Sequence, residues 1–466
     1  MVFSSITFLF YFLPIVIILY YLAPSKLKNT VLFFVSLCFY AWGEPKYILL
    51  MIFSIIIGYV SGILIEKLQN KIYRKLVLFI SLFIIIGLLG YFKYTNFFLE
   101  NLNRIDGVSL KLLNITLPIG ISFYTFQIIS YEIDVYRGKV FAQKNPLSLA
   151  LYVTMFPQLI AGPIVRYADI ATQLEERTHD FQHIAYGIRR FILGLGKKVL
   201  LADVLAEFCE NLKVTQDGSV LYFWLYAISI SLYIYLDFSG YSDMAIGLGS
   251  IFGFHFPENF YYPFCSKSIT EFWRRWHISL GSWFRDYVYI PMGGNRVGRI
   301  RGFFHIFIVW MLTGFWHGAN WNFIVWGLYF SLFLIVEKIW LGKQLAKHKY
   351  LSRIYVLFIL VVSFVIFNET SMGQILAILK GMSGCDGIPL VSQESLYFLK
   401  SYGITFLISL IAATPLTKLF IEKLRRNSKL DKAINALEPF LLLGFLFVIT
   451  AYLVAGTFHP FLYFRF

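Results

Sequence analysis

Apolar runs of near-spanning length recur along the whole chain, separated by short polar and often basic interruptions. A helix needs about 20 mostly apolar residues to cross the hydrocarbon core. Candidate spans are Ile6–Ala23, Ile48–Ile65, Leu76–Phe98, Leu147–Val165, Val220–Tyr235, Phe303–Met311, Trp321–Val336, Ile354–Phe367, Tyr402–Ala413 and Pro439–Ala455. Thr30–Trp42 is apolar but short, so it must be extended, tilted or partly buried. The pattern predicts an all-α polytopic membrane protein with roughly ten to twelve spans, some of them broken or re-entrant. The stretch beginning at Ile6 is long enough to persist as a first span, and no cleavable leader is apparent.

The basic interruptions suggest an orientation. Lys26 and Lys28 follow the first run, and Lys67, Lys71, Arg74 and Lys75 come two candidate spans later. Both groups can therefore face the cytoplasm under the positive-inside rule, with the N-terminus outside. Arg296, Arg299 and Arg301 form a further cytoplasmic candidate, as do Lys418, Lys423, Arg425, Arg426, Lys429 and Lys432. The last group would place the C-terminus outside, although one re-entrant segment counted as a span reverses that result.

Composition sharpens the class. Of 466 residues, 58% are hydrophobic, 19% aromatic and only 14% charged. Soluble domains carry about 25% charge, so disorder, a coiled coil and a disulfide scaffold are excluded and a soluble enzyme is disfavoured. The net charge of +15 reflects loop lysines and arginines rather than affinity for nucleic acid. Four scattered cysteines, with no CxxC pair, give neither a disulfide framework nor a zinc site. Cys38, inside an apolar run, reads as a small core residue.

Between Pro118 and Trp321, polar residues persist inside apolar, aromatic text. A charge at bilayer depth costs at least about 2.5 kcal/mol on insertion scales, so such residues usually line a cavity or functional path. The chain thus divides into peripheral helices over 1–116, a site-bearing core over 117–336 and C-terminal helices over 337–466, all within one integral membrane domain.

The first candidate for chemistry is Thr313-Gly-Phe-Trp-His317-Gly-Ala-Asn320-Trp321. A neutral imidazole can accept a hydroxyl proton near neutral pH, and flanking glycines let a substrate or backbone approach closely. A hydrogen-bonded structural histidine fits the local sequence equally well. The second is Ser268-Ile-Thr-Glu-Phe-Trp-Arg274-Arg275-Trp276-His277, continuing to Arg285 and Tyr287. Its arginines suit phosphate or carboxylate, or anchor an interfacial helix to lipid headgroups. Asp237 and Asp243 are six residues apart, which is a poor acid–base pair; they read as partners of a nearby arginine or of a helix break, and for a proton or sodium path they would be the first suspects. No GxxxxGK[ST], GxGxxG, GxSxG or HExxH pattern is present. His179 and His183 have ligand-like spacing but sit in a polar helix start, and no metal site is expected.

The runs SITEFWRRWHISLGSWFRDYVYIPMGGNR and LTGFWHGANWNFIVWGLYF resemble the membrane-bound O-acyltransferase family, in its bacterial branch of alginate and peptidoglycan O-acetyltransferases. LPIGISFYTFQ, FPQLIAGPIVRY, YLDFSGYSDMAIG and NFYYPF add to the likeness. The resemblance implies a multi-helix fold around a central tunnel, in a multi-pass protein of the bacterial inner membrane. It further implies transfer of an acetyl group from a cytoplasmic thioester, acetyl-CoA, to an extracytoplasmic polysaccharide, with no bound cofactor. His317 would be the catalytic base and His277 the second histidine. Arg274, Arg275, Trp276, Arg285, Trp316 and Asn320 are candidate substrate contacts. The terminal Phe-Leu-Tyr463-Phe-Arg-Phe fits an FxYFxF pattern whose tyrosine would carry the acyl group. A phenol, with a pKa of about 10, leaves more readily than an alkyl alcohol; the plainer reading is an aromatic interface belt. An SGNH-hydrolase-like partner would finish transfer to the polymer. D-alanyl transfer to teichoic acid, or polysaccharide export, is the alternative.

Overall fold

The structure is a computed structural model, described here for residues 2–215, 218–385, 387–456 and 461. Every regular element among these residues is helical. Seven helices are long and apolar enough to cross a membrane: Pro45–Lys67, Lys71–Leu102, Val220–Ile251, Trp321–Leu345, Lys349–Asn368, Gln393–Ala412 and Ser428–Ala455. Phe8–Leu22 is apolar but shorter.

Three expected spans take other forms. Leu147–Val165 is broken into Pro146–Thr154 and Phe156–Leu159, with Met155 leaving helical geometry at ψ 110°. Pro157 explains the break, because it has no N–H to donate and its ring would strike the carbonyl four residues back. Phe303–Met311 lies within the Arg299–His317 helix, whose first turn carries Arg299 and Arg301. Val220–Tyr235, in contrast, continues through both Asp237 and Asp243 to Ile251. Cys38 is exposed rather than in the core; in a chain surrounded by lipid, an apolar run has an outward face as well as an inward one.

The chain forms two compact units. The first comprises Met1–Phe191, Met244–Glu258 and Arg285–Tyr287. Its core contains interlocked rings of Phe3, Phe8, Phe12, Phe39 and Phe156. The Ser36 hydroxyl accepts from the Phe156 amide at 3.1 Å, satisfying one donor freed by the helix break. The buried Glu132 carboxylate accepts from Ser61 and Ser81, fastening together Pro45–Lys67, Lys71–Leu102 and Ile121–Tyr136. Asp286 receives Arg166 at 2.7 Å and Arg285 at 2.7 Å. Burial opposes the Asp286 charge, but hydrogen bonds from these arginines outweigh it and hold the carboxyl below its ordinary range.

The second unit comprises Ile192–Asp243, Asn259–Phe284 and Val288–Phe466. A buried aromatic core gathers Tyr235, Phe238, Phe272, Trp276, Trp326, Phe330 and Phe364. Lys198, fully buried, lies 2.6 Å from Asp237 and 2.7 Å from Asp203. Lys197 lies 2.6 Å from Asp243. Both aspartates therefore have cationic partners in the adjacent Lys197 and Lys198. Pairing compensates the cost of carrying both carboxylates along a spanning helix.

Candidate active site

The Ile269–Trp273 helix is too short to be stable alone, and its N-terminus is fixed from two sides. The Ser268 hydroxyl accepts from the Glu271 amide at 3.0 Å. The buried Glu337 carboxylate accepts from the amides of Ile269 at 2.6 Å and Thr270 at 3.0 Å. These bonds satisfy orphan donors at the helix start and place negative charge at the positive end of its dipole. Arg275 turns back to Glu271 at 2.6 Å and lies over the Tyr261 ring. Arg274 is exposed, and Trp276 packs among Tyr235, Phe260, Phe272 and Phe364.

At His277 the backbone enters the left-handed region, with φ 43°. For a residue with a Cβ this costs about 1–3 kcal/mol and persists only where the surroundings impose it. Asn259 imposes it here. Its carbonyl accepts from the Ile278 amide at 3.0 Å. Its side-chain oxygen accepts from the Ser279 amide at 3.2 Å and the Ser279 hydroxyl at 2.9 Å, and faces His277 Nδ1 at 3.2 Å. An amide oxygen only accepts, so Nδ1 carries a proton and Nε2 is the basic nitrogen. Burial lowers the His277 pKa well below its ordinary value and keeps the ring neutral. Phe238 meets the ring at 4.7 Å in an edge arrangement.

His317 ends the Arg299–His317 helix, and Gly318 beyond it is extended. The following helix begins at Trp321, whose amide is capped by Asn320 Oδ1 at 2.7 Å. The two helices cross on glycine. A Cβ at Gly314 would lie 2.2 Å from the Phe323 carbonyl oxygen, and one at Gly327 would lie 2.3 Å from that of Trp310. This contact brings Trp326 to within 5.1 Å of the His317 ring. Asn322 donates to the Phe367 carbonyl at 3.0 Å, and Phe367 closes a second side at 5.3 Å.

These supports bring the two histidine segments together. The His277 and His317 ring centroids are 6.5 Å apart, and both residues are buried. Trp316 touches both rings, at 6.1 and 5.0 Å. Two imidazoles within aromatic walls can hold a nucleophile and move its proton while excluding water.

The other sequence candidates have different surroundings. Arg285 belongs to the first unit, is 62% exposed and pairs with Asp286. Asn320 acts as a helix cap. Tyr463 lies outside the described residues, although Phe461 is buried against Tyr241 at 4.7 Å and under Lys198 at 4.5 Å. Asn259, Glu337, Asn322 and Phe367 were not singled out from sequence. Asn259 opens the NFYYPF motif, which was the available signal, but its 18-residue separation from His277 hides the contact.

Comparison with known proteins places this geometry in context. Residues 140–369 match the family model of the membrane-bound O-acyltransferase family, a segment that contains both histidines. The chain is 44% identical over 344 residues to the "probable alginate O-acetylase AlgI" of Pseudomonas putida, covering 72% of this chain and 71% of that protein. It is 35% identical over 438 residues to the peptidoglycan O-acetyltransferase of Helicobacter pylori, covering 86% and 83%. The alignment with the Pseudomonas syringae alginate relative, at 44% identity, spans 66% of that protein, just under two thirds of its length. Together with the seven apolar helices, these likenesses make the chain a multi-pass membrane protein. It belongs to the membrane-bound O-acyltransferase family.

Proposed function

We propose that this protein is an O-acetyltransferase of the cytoplasmic membrane, moving an acetyl group from a thioester, acetyl-CoA, to a hydroxyl of an extracytoplasmic polysaccharide. The observation that carries this reading is the buried pair of His277 and His317, 6.5 Å apart and drawn from two sequence-distant motifs. The relatives named for alginate and peptidoglycan acetylation support it. A teichoic acid D-alanyltransferase of Bacillus subtilis is also similar, but at 31% identity over 46% of this chain; this favours acetyl over D-alanyl as the group transferred.

In this mechanism Tyr463 is the first acceptor. His317 takes the phenolic proton as the phenolate oxygen bonds to the thioester carbonyl carbon. The carbon–sulfur bond then breaks, the proton passes to the departing thiolate, and an acetyl-tyrosine ester remains. A polymer hydroxyl, presented by an SGNH-hydrolase-like partner, displaces the phenol in a second transfer. His317 is suited to the base role because positive charge developing on it meets the C-terminal carbonyls of its own helix, an interaction worth about 0.3–1 kcal/mol. His277, held neutral by burial and oriented by Asn259, polarises the acyl carbonyl or steers the nucleophile.

The test is covalent labelling of purified protein by radiolabelled acetyl-CoA. The expected product is one base-labile acetyl group per chain, absent from Tyr463→Phe and from His317→Ala. An unlabelled wild type that still acetylates polymer would overturn the relay, and label on Tyr463→Phe equal to wild type would overturn Tyr463 as carrier.

A further inference from the structure

A cationic cluster in the first unit centres on Tyr20. The Tyr20 hydroxyl donates to the Phe252 carbonyl at 2.8 Å. Its single proton is thereby used, so its oxygen accepts from Arg177 Nε at 3.2 Å and from His179 Nε2 at 2.8 Å. His179 therefore bears a proton on Nε2, and Nδ1 is its remaining nitrogen. Lys28 Nζ lies 5.0 Å from the Tyr20 ring centroid and 5.4 Å from that of Tyr21. Arg177 also covers the Phe254 ring at 4.4 Å.

Three basic side chains thus converge on one phenol, and among the described residues no carboxylate forms an ion pair with Lys28 or Arg177. Glu175 and Glu176, which precede Arg177 in sequence, are exposed, and Asp180 is 3.5 Å from His183 instead. Like charges held together are unfavourable unless an anion joins them. Burial first, and then Arg177, lower the Lys28 pKa; burial first, and then Lys28 and Arg177, lower that of His179. Guanidinium and ammonium groups beside aromatic rings suit a phosphate.

The location selects among phosphates. The cluster closes the end of the apolar Phe8–Leu22 helix, where Ile18, Leu19 and Leu22 are exposed at 57%, 49% and 79%. An acyl chain can lie along that face while its headgroup reaches Lys28 and Arg177. We propose that Lys28 and Arg177, gathered around Tyr20, form a binding site for the phosphate of an anionic membrane lipid.

The test uses full-length protein stripped of lipid in detergent and titrated with phosphatidylglycerol, phosphatidylcholine or inorganic phosphate, read by native mass spectrometry. Phosphatidylglycerol should bind wild type, and Lys28→Gln should weaken it about tenfold, the loss of one charged hydrogen bond. Lys28→Arg should restore it, and Lys26→Gln, a change at an exposed neighbour, should leave it unchanged. Arg177→Gln should also weaken it, but Arg177 supports Tyr20, so Lys28→Gln is the decisive variant. Lys28-sensitive binding of inorganic phosphate as tight as that of phosphatidylglycerol would overturn the lipid assignment. Phosphatidylglycerol binding that is equal in wild type and Lys28→Gln would overturn the site.

Discussion

Replacing Gly314 by alanine should damage catalysis more than its single added methyl suggests. The new Cβ would sit 2.2 Å from the Phe323 carbonyl oxygen, where ordinary contact begins at 3.4 Å, and it would also press on the Gly327 Cα region. The obstacle is backbone rather than a flexible side chain, so the Arg299–His317 and Trp321–Leu345 helices must part by about 1 Å. Overpacking of this kind costs about 1–3 kcal/mol of stability. His317 lies one turn beyond Gly314, and its Trp326 wall is adjacent to Gly327, so the same displacement opens the site. A misplacement of about 1 Å can cost roughly 10²-fold in rate. Acetyl transfer by the purified variant should fall by that order, with a lowered melting temperature in detergent. Gly444→Ala provides the control, because a Cβ there meets nothing within 4 Å and replaces a helix-interior glycine. Wild-type rate and melting temperature in Gly314→Ala would refute the claim that close helix crossing positions His317.

Three further outcomes follow from the geometry. Asn259→Ala removes the acceptor for Ser279 and His277, and should lower transfer at least about tenfold while costing about 1–3 kcal/mol, measured by rate and thermal unfolding. Lys198→Met strands Asp237 and Asp203, for a loss of about 3–5 kcal/mol; adding Asp237→Asn should recover part of the melting temperature, and no recovery would argue against the pair. Asp286 has a depressed folded pKa, so its stabilisation is complete above the ordinary aspartate value near 4 and is lost as pH falls through the lower folded value. Unfolding scans between about pH 3 and 6 should therefore lose their acid-side slope, in part, in Asp286→Asn.

The helical class and both histidine segments were legible because each is written in contiguous residues: apolar length for the spans, and aromatic text around His277 and His317. Neighbours in space but not in sequence were not legible. By hydropathy Val220–Tyr235 ends where its aspartates begin, since Lys197 and Lys198, about 40 residues earlier, are what allow the helix to continue. The Leu147–Val165 run looks continuous by hydropathy, and only Pro157, weighed against the carbonyl it displaces, reveals the break. Arg274 and Arg275 look equivalent on paper, yet one is exposed and the other is committed to Glu271. Asn259 and Glu337 orient the site through long-range contacts that no local pattern encodes.

The central claim is that His317 is the base for acyl transfer, and one measurement addresses it most directly. Cells producing His317→Ala, with membrane insertion verified at wild-type level, are assayed for O-acetyl groups on their extracytoplasmic polysaccharide. The account predicts that these groups are lost. Acetylation retained at the wild-type level would contradict it.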